Sequence, residues 1–177
     1  MRPSLLLHIC CAPCGAPVTQ ELSRDFSVTG YFYNPNIQPI AEYQRRLNEV
    51  KRYWAENQWP LIIGEYNVSQ WFEAVKGLEQ EPEGGQRCQV CYQYRLAQTA
   101  KLAKKQGIEH FATTLTISPH KSAAVINQIG QELAKQFGVK FYVADFKKNN
   151  GFLKSVQISK QAGFYRQNYC GCVFSQR

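Results

Sequence analysis

Features typical of several other protein classes are missing from this chain of 177 residues. No apolar run approaches the roughly 18 residues that a membrane-spanning helix needs, since the longest candidate, Leu5–Ile9, is followed at once by cysteines and a proline. The same stretch lacks a basic region and a small-residue cleavage site, so we expect no signal peptide. Internal repeats and low-complexity segments are also absent. We therefore expect a cytoplasmic protein with no membrane partner.

Acidic residues are scarce: 13 Asp and Glu stand against 21 Lys and Arg, which gives a formal net charge of +8. The imbalance is greatest in the last part of the chain, where the only acid after Lys140 is Asp145. A basic surface attracts a polyanion such as a nucleic acid, although a solvated positive face would have the same composition. The basic residues of this part are Lys140, Lys147, Lys148, Lys154, Lys160, Arg166 and Arg177.

The cysteines are grouped rather than spread along the chain. A disulfide-rich secreted protein would be shorter and would need its bridges in place of a core, whereas this chain is long enough to bury a core in one domain. Clustered thiols in such a protein predict a metal or redox site. The seven cysteines form three groups: Cys10, Cys11 and Cys14; Cys88 and Cys91; Cys170 and Cys172.

Apolar strand-like segments alternate with segments of helical periodicity along the whole chain. This alternation predicts an α/β fold with three α/β/α layers and a mostly parallel sheet, in a single domain over residues 1–177 with a cysteine-lined metal site. The predicted strands are Ser4–Ile9, Val28–Tyr33, Leu61–Glu65, His110–Thr116 and Lys140–Val143. Helical stripes are carried by Tyr43, Leu47, Val50 and Trp54, by Leu96, Ala100 and Ala103, and by Ile126, Ile129, Leu133 and Phe137.

The turn after the first predicted strand carries the first cysteine group. Open α/β sheets bind ligands beyond the carboxyl ends of their strands, and a nucleotide-binding relative would have GxGxxG or GxxxxGK[ST] at this turn. Neither motif is present, and the sequence HICCAPC stands there instead. We therefore expect thiolates where other sheets of this kind hold phosphate.

The second group, Cys88 and Cys91, is a CxxC that follows two glycines and is predicted to open a helix, where the dipole favours thiolates. A CxxC alone fits a redox pair, half of a zinc site or two ligands of an iron–sulfur cluster. The redox pair leaves five cysteines unexplained. Zinc and a cubane cluster would each take four thiolates and leave three for a second metal or a reducible disulfide pair, and spacing does not separate these cases.

Two further segments carry candidate binding residues. Ser118–Lys121 (SPHK) is predicted to start the helix that runs to Phe137, with an N-terminus suited to an anion, although plain capping explains it equally well. The segment from Gly163 to Cys172 interleaves aromatic rings with an arginine, which suits stacking on an unpaired base, and its CxC is expected to fold back onto the other cysteines. His8 is expected to be a packed core histidine.

Taken together, the motifs HICCAPC, RCQVCYQYRL, TLTISPHK and FYRQNYCGCVFS resemble the QueH type of epoxyqueuosine reductase over nearly the whole chain. The resemblance implies a fold similar to the adenine-nucleotide α-hydrolase-like (HUP) group, without its nucleotide loop. It implies two-electron reduction of the epoxide of epoxyqueuosine in tRNA to the alkene, the last step of queuosine synthesis. It also implies a [4Fe–4S] cluster beside a second metal, iron or zinc, with no cobalamin; the electron donor and the oligomeric state are left open.

Roles follow from this resemblance and from the chemistry of the residues. The cluster ligands are predicted to be Cys10, Cys11, Cys88 and Cys91. Cys14, Cys170 and Cys172 remain for the second metal or a redox role. Substrate contacts are assigned to His120, Lys121, Arg166 and Tyr169, and the proton donor to Tyr92 or Tyr169.

Two other functions fit parts of the sequence. An iron–sulfur-dependent tRNA thiolase would need an SGGxDS-type loop for ATP after the first strand, where this chain has Cys10 to Cys14. A zinc-stabilised RNA-binding module without catalysis would use the same cysteines and the same basic surface.

Overall fold

A computed structural model describes residues 2–176, and it shows a five-stranded sheet in which all the strands are parallel. The strands occur in the spatial order β3-β2-β1-β4-β5, so that β1 is central and the chain winds outward from it in both directions. Their bounds are β1 Ser4–Ile9, β2 Ser27–Phe32, β3 Leu61–Ile63, β4 His110–Thr113 and β5 Lys140–Phe141.

Within residues 2–176, six α-helices connect and follow these strands. The predicted stripes on α2, α4 and α5 are largely buried, and α4 and α5 both end at a glycine in the left-handed conformation, Gly107 and Gly138. No helix in the part of the chain that the structure describes is long and apolar enough to cross a membrane. The helices are α1 Ala12–Leu22, α2 Ile40–Glu56, α3 Val68–Ala74, α4 Gln86–Gln106, α5 Ala123–Phe137 and α6 Gly151–Gln161.

Strand β1 shows why the molecule has three layers. Successive side chains of a strand point to opposite faces, and here Leu5 and Leu7 pack in one apolar cluster while Leu6 packs in the other. The first cluster contains residues of α1 and α2, and the second contains residues of α4 and α5. Helices therefore cover both faces of the sheet, which confirms the predicted three-layer fold; its likeness to the adenine-nucleotide group stays a prediction.

Strand β2 is shifted by one residue toward the N-terminus of the chain, and three predicted strands end at least two residues earlier than their apolar patterns suggested. The clearest case is β4, which ends at Thr113 because the hydroxyl of this residue accepts a hydrogen bond from the amide of Leu115, 3.2 Å away. The bond turns the chain into a 3-10 helix over Thr114–Ile117. Strands β3 and β5 likewise stop at Ile63 and Phe141 rather than at Glu65 and Val143.

The predicted start of α5 at Ser118 is wrong. Helix α5 begins at Ala123, and its N-cap is Ser122, whose side chain accepts a hydrogen bond from the Val125 amide. Because the 3-10 helix has already turned the chain, Ser118 instead closes a tight turn in which its hydroxyl accepts from the His120 amide at 3.3 Å. This turn, rather than a helix end, presents Lys121.

Candidate metal centre and substrate pocket

The carboxyl end of central strand β1 delivers the first three cysteines to one point. Helix α1 starts at Ala12, directly after the turn, so that Cys14 lies in its first turn beside Cys10 and Cys11. The three sulfur atoms all lie within 4.8 Å of one another, and those of Cys10 and Cys11 are 3.7 Å apart. Thr114, at the end of neighbouring strand β4, fixes Cys10 through its hydroxyl, which lies 3.3 Å from the Cys10 amide. We call these three cysteines the strand thiols.

The strand thiols cannot all ionise as they stand. Hydrogen bonds from the thiols of Cys11 and Cys14 hold the pKa of Cys10 well below its usual range. The same contact with Cys10 raises the pKa of Cys11 to about 12, and contacts with Cys10 and Cys11 raise the pKa of Cys14 well above its usual range. One thiolate therefore suppresses the other two, because like charges so close repel each other. A cation among them would remove this repulsion, which is the electrostatic condition of a metal site.

The other four cysteines surround a small cavity of about 10 Å³, which is space for about one water molecule. Cys88 and Cys91 reach it from the first turns of α4, because positions three apart lie on the same face of a helix. Cys170 and Cys172 reach it from the C-terminal segment. The expected return of the CxC to the other cysteines is thus observed, and we call this set the helix thiols.

Several N–H groups donate hydrogen bonds to sulfur atoms of both the strand thiols and the helix thiols. The indole of Trp71, which is completely buried, donates to the sulfur of Cys91 at 3.3 Å. The main chain of Gly84 donates to Cys88 at 3.2 Å, and the amide of Gln167 donates to Cys11 at 3.2 Å. Such donors orient metal-binding sulfurs and stabilise their negative charge.

The expectation that the start of α4 favours thiolates is wrong for the free thiols. Burial raises the pKa of Cys88 and of Cys91, and it outweighs the hydrogen bonds from Gly84 and Trp71 that would lower them. Cys88 and Cys91 are therefore neutral thiols until a cation enters the cavity.

The predicted disulfide is also wrong, since all seven cysteines are free within residues 2–176. The 3.7 Å between the sulfurs of Cys10 and Cys11 is far longer than the roughly 2.05 Å of a disulfide bond. The distance between these two sulfur atoms is that of two ligands of one metal ion, not that of two bonded sulfur atoms.

Helix α2 anchors the C-terminal segment that carries Cys170 and Cys172. The buried guanidinium of Arg46 donates to the main-chain oxygens of Cys170 at 2.8 Å and Tyr169 at 3.2 Å. Its charge is balanced by Glu42 at 2.7 Å. Just before α2, the amide of Gln38 donates to the oxygen of Gly171 at 2.8 Å. These bonds fix the main chain around Cys170 and Cys172 and so position their side chains beside α4.

A pocket of about 340 Å³ opens beside both sets of sulfurs. Cys10 and Cys14 line it from the strand thiols and Cys170 from the helix thiols, so Cys170 belongs to both cavities. All four residues predicted to contact substrate, His120, Lys121, Arg166 and Tyr169, line this pocket. Its other polar lining includes Arg46, Glu83, Arg95, Ser155, Gln167 and Asn168.

The two predicted proton donors are placed differently from each other. The hydroxyl of Tyr169 donates to the main-chain oxygen of Gln38 at 2.6 Å, so its proton is already committed. Tyr92 lies on the small cavity of the helix thiols, and burial raises its pKa. His8 is the expected core histidine: it is fully buried between Thr113 and the Tyr33 carbonyl, and burial lowers its pKa to about 3.

Sequence reasoning missed several residues that shape the site. Arg95 lies four residues after Cys91, so helical spacing could have placed it on the face of α4 that carries both cysteines. Trp71 and Gln167 had no sequence signal, since each meets a cysteine that is distant along the chain. Arg46 lies in a charge-rich helix and was not distinguishable from a solvated basic residue.

Fold and site together define a parallel α/β protein with two converging cysteine sets beside a pocket rich in cationic side chains. A profile of the epoxyqueuosine reductase QueH family matches residues 5–177. The chain belongs to this family, and it is therefore an enzyme of the oxidoreductase class.

Individual members show the same relation over nearly all of this chain. The epoxyqueuosine reductase QueH of Streptococcus pyogenes serotype M1 is 42% identical over 183 residues, covering 100% of this chain and 72% of the relative. That of Thermotoga maritima is 40% identical, covering 97% of this chain and 90% of the relative. That of Dehalococcoides mccartyi is 40% identical, covering 99% and 94% respectively.

Proposed function

We propose that this protein reduces the epoxide of epoxyqueuosine in tRNA to the alkene, with electrons supplied through iron bound by its cysteines. Family membership supports the reaction. The structural observation that carries the proposal is the convergence of three remote cysteine-bearing segments on two cavities that share Cys170. The larger cavity is lined by Lys121, Arg95 and Arg166.

The reaction consumes two electrons and two protons, and it yields the alkene and water. Amino-acid side chains are poor one-electron donors, so a cofactor must provide the electrons. When bound, an iron–sulfur cluster supplies them, and an adjacent metal ion supplies Lewis acidity. The chain's own residues have three tasks: to hold the metals, to bind the modified nucleotide, and to deliver protons to the oxygen that leaves.

The grouping of sulfurs favours a different division of ligands from the one predicted. We assign the cluster to the helix thiols, Cys88, Cys91, Cys170 and Cys172, because they form a four-cysteine set. Their cavity has room for about one water molecule, so a cluster must open it toward the larger pocket that Cys170 also lines.

The strand thiols suit a single ion, iron or zinc. A metal–sulfur bond of about 2.3 Å in a tetrahedral site places two thiolates about 3.8 Å apart. The sulfurs of Cys10 and Cys11 are 3.7 Å apart. Three protein ligands leave a fourth position open, as in catalytic rather than structural sites. Cys10 and Cys14 line the substrate pocket, so a metal ion held by the strand thiols would be accessible to substrate from that pocket.

Lys121 is the residue best placed to act on the departing oxygen. Burial alone would lower the pKa of Lys121, but attraction to the neighbouring ionisable groups Cys170, Tyr92, Cys10 and Cys14 outweighs burial and raises it. Its ammonium group therefore stays charged in the pocket. A preorganised cation in a site with little water stabilises a developing oxyanion strongly, and the ammonium can then pass a proton to it.

Binding of tRNA is supported by charge. The protein carries a formal net charge of +8, and the pocket lining includes Arg46, Arg95, Lys121 and Arg166 against one carboxylate, Glu83. Phosphate contacts by such residues release counterions, so binding should weaken steeply with salt.

Metal analysis of three anaerobically purified proteins tests the ligand assignment. We expect the wild type to contain one [4Fe–4S] cluster and one additional metal ion per chain. Cys172→Ala should lose the cluster sulfide, whereas Cys11→Ala should keep it and lose only the additional ion. The opposite result would restore the division predicted from the sequence.

Activity is tested on tRNA that carries epoxyqueuosine, with dithionite as reductant and nucleoside mass spectrometry as readout. The wild type should form queuosine. Lys121→Met should lower kcat by about 100-fold or more, the usual effect of removing one oxyanion donor. Lys105→Met is the matched control, because Lys105 is exposed near the far end of α4. A zinc-containing wild type that binds tRNA without turnover would contradict the proposal and favour an RNA-binding module.

A further inference from the structure

Arg95 is a buried cation that the proposed reaction does not yet use. It is 1% exposed, and its charge acts on Cys91, Cys170 and Cys10, which come from three different segments of the chain. It also lines the substrate pocket. Arg95 therefore shares the pocket with Cys10 and Cys14 of the strand thiols and with Cys170 of the helix thiols.

The guanidinium is held at one corner only. Its Nη1 atom donates to Oδ1 of Asn34 at 3.2 Å, and Asn34 in turn donates to the main-chain oxygen of Ile9 at 2.8 Å. The Nε and Nη2 atoms have no hydrogen-bond partner among residues 2–176, although both are sealed from solvent. A buried donor without a partner destabilises the folded protein, so this arrangement indicates an acceptor that enters with a ligand.

The hydrogen-bond acceptor that best fits the free donors of Arg95 is a metal-bound sulfur atom. The ionisable groups that couple most strongly to Arg95 are the cysteines Cys91, Cys170 and Cys10. Once they bind metal, thiolate and sulfide both accept N–H hydrogen bonds. Hydrogen bonds and positive charge near a cluster stabilise its reduced form, which is one electron more negative. Arginine is suited to this because it stays protonated at any pH in the working range.

We propose that Arg95 is a positioning residue that donates to sulfur atoms of the metal centre and raises its reduction potential. The inference rests on the proposed function, because it requires an iron–sulfur centre in the wild type. The step it controls is the gain of one electron by the oxidised centre from a one-electron reductant, here dithionite. No proton is taken up, since Arg95 is charged before and after.

The test is a redox titration of the anaerobic protein, followed by electron paramagnetic resonance. Arg95→Gln removes the charge and should decrease the equilibrium constant for reduction about tenfold, which is about 59 mV for a one-electron couple. Arg95→Lys keeps the charge and should recover part of this loss. Asn34→Asp leaves Arg95 in place but pairs it with a carboxylate, so it should also lower the potential.

Thr99→Val is the matched control. Thr99 is fully buried on the same helix, one turn further on, and its hydroxyl donates only to the main-chain oxygen of Arg95 at 2.9 Å. The reduction potential of the metal centre in the Thr99→Val variant should equal that in the wild type. An equal shift in Thr99→Val would show that disturbance of α4, not charge, sets the potential, and would overturn the inference.

The remaining outcomes separate this inference from the proposed function. A wild type without any iron–sulfur centre would overturn the proposed function and the inference with it. A normal centre in the wild type, with unchanged potential in both Arg95→Gln and Asn34→Asp, would overturn the inference alone. If Arg95→Gln does not retain iron, Asn34→Asp decides: a lowered potential supports the inference, and an unchanged one refutes it.

Discussion

Replacement of Gly15 by alanine tests whether α1 must lie directly against the indole of Trp54. A Cβ atom at Gly15 would lie 2.6 Å from Cη2 of Trp54 and 2.9 Å from Cγ2 of Ile9. On the other side of the ring, a Cβ at Gly30 would lie 2.7 Å from Nε1 of the same indole. The ring is therefore held between two glycines, and both Trp54 and Ile9 are buried.

The magnitude follows from the clash distance. Ordinary contact begins near 3.4 Å, so at 2.6 Å the helix or the ring must move by the difference, about 0.8 Å. Overpacking of a buried site costs about 1–3 kcal/mol, while replacing a helical glycine with alanine recovers up to about 1 kcal/mol. We expect Gly15→Ala to lower the free energy of unfolding by about 1–2 kcal/mol.

Urea unfolding of the metal-free protein measures this, and a double-mutant cycle isolates the cause. Trp54→Phe removes the outer ring that would meet the new methyl group. In that background Gly15→Ala should be neutral or stabilising, with a coupling of about 0.5–3 kcal/mol. An increase in stability of the single variant, or the same loss in both backgrounds, would refute the packing argument.

Three other changes have expected outcomes. Arg46→Met removes the buried cation that holds the main chain of the C-terminal segment, so it should destabilise the protein by about 3–5 kcal/mol and make that segment the first site of limited proteolysis. Trp71→Phe keeps an aromatic ring but loses the indole N–H that donates to Cys91, so metal affinity in a chelator competition should fall about tenfold. Because Trp71 is completely buried, the smaller ring should also lower the free energy of unfolding. Lys148→Gln with Lys154→Gln, at two exposed positions beside α6, should lower the slope of log affinity for tRNA against log salt by about 1 for each phosphate that is no longer neutralised, and an unchanged slope would remove this face from the interface.

Much of the fold was predictable because the sheet is parallel and covered on both faces. Strand β1 is a continuous apolar run with its boundaries as predicted, and the stripe on α2 from Tyr43 to Trp54 is buried as its spacing requires. The failures lie where a single side chain changes the direction of the main chain. The hydroxyl of Thr113 ends β4 and starts the 3-10 helix, and neither effect is visible in a hydrophobic pattern.

The sequence indicated which residue types form the site, but it did not indicate how the cysteines divide into two sets. Spacing along the chain indicated three cysteine groups, and the structure brings the second and third groups to one cavity. Spacing did not show that Cys170 and Cys172 meet α4, because that depends on Arg46 and Gln38, which are more than 100 residues distant from them. Arg95 was missed for a similar reason: its importance comes from burial and from donors without partners, which only the tertiary structure reveals.

The shared position of Cys170 ties the assembly of the site to the docking of the C-terminal segment. Cys170 lines both the small cavity of the helix thiols and the substrate pocket, so neither is complete until that segment is in place. Helix α2 holds the segment through Arg46, and the carboxylate of Glu49 on the same helix accepts a hydrogen bond from the Tyr165 amide at 2.8 Å. Metal binding is therefore coupled to docking: a metal that binds only the docked state must stabilise it. Chelation should accordingly expose the segment to protease in the wild type before it unfolds the sheet.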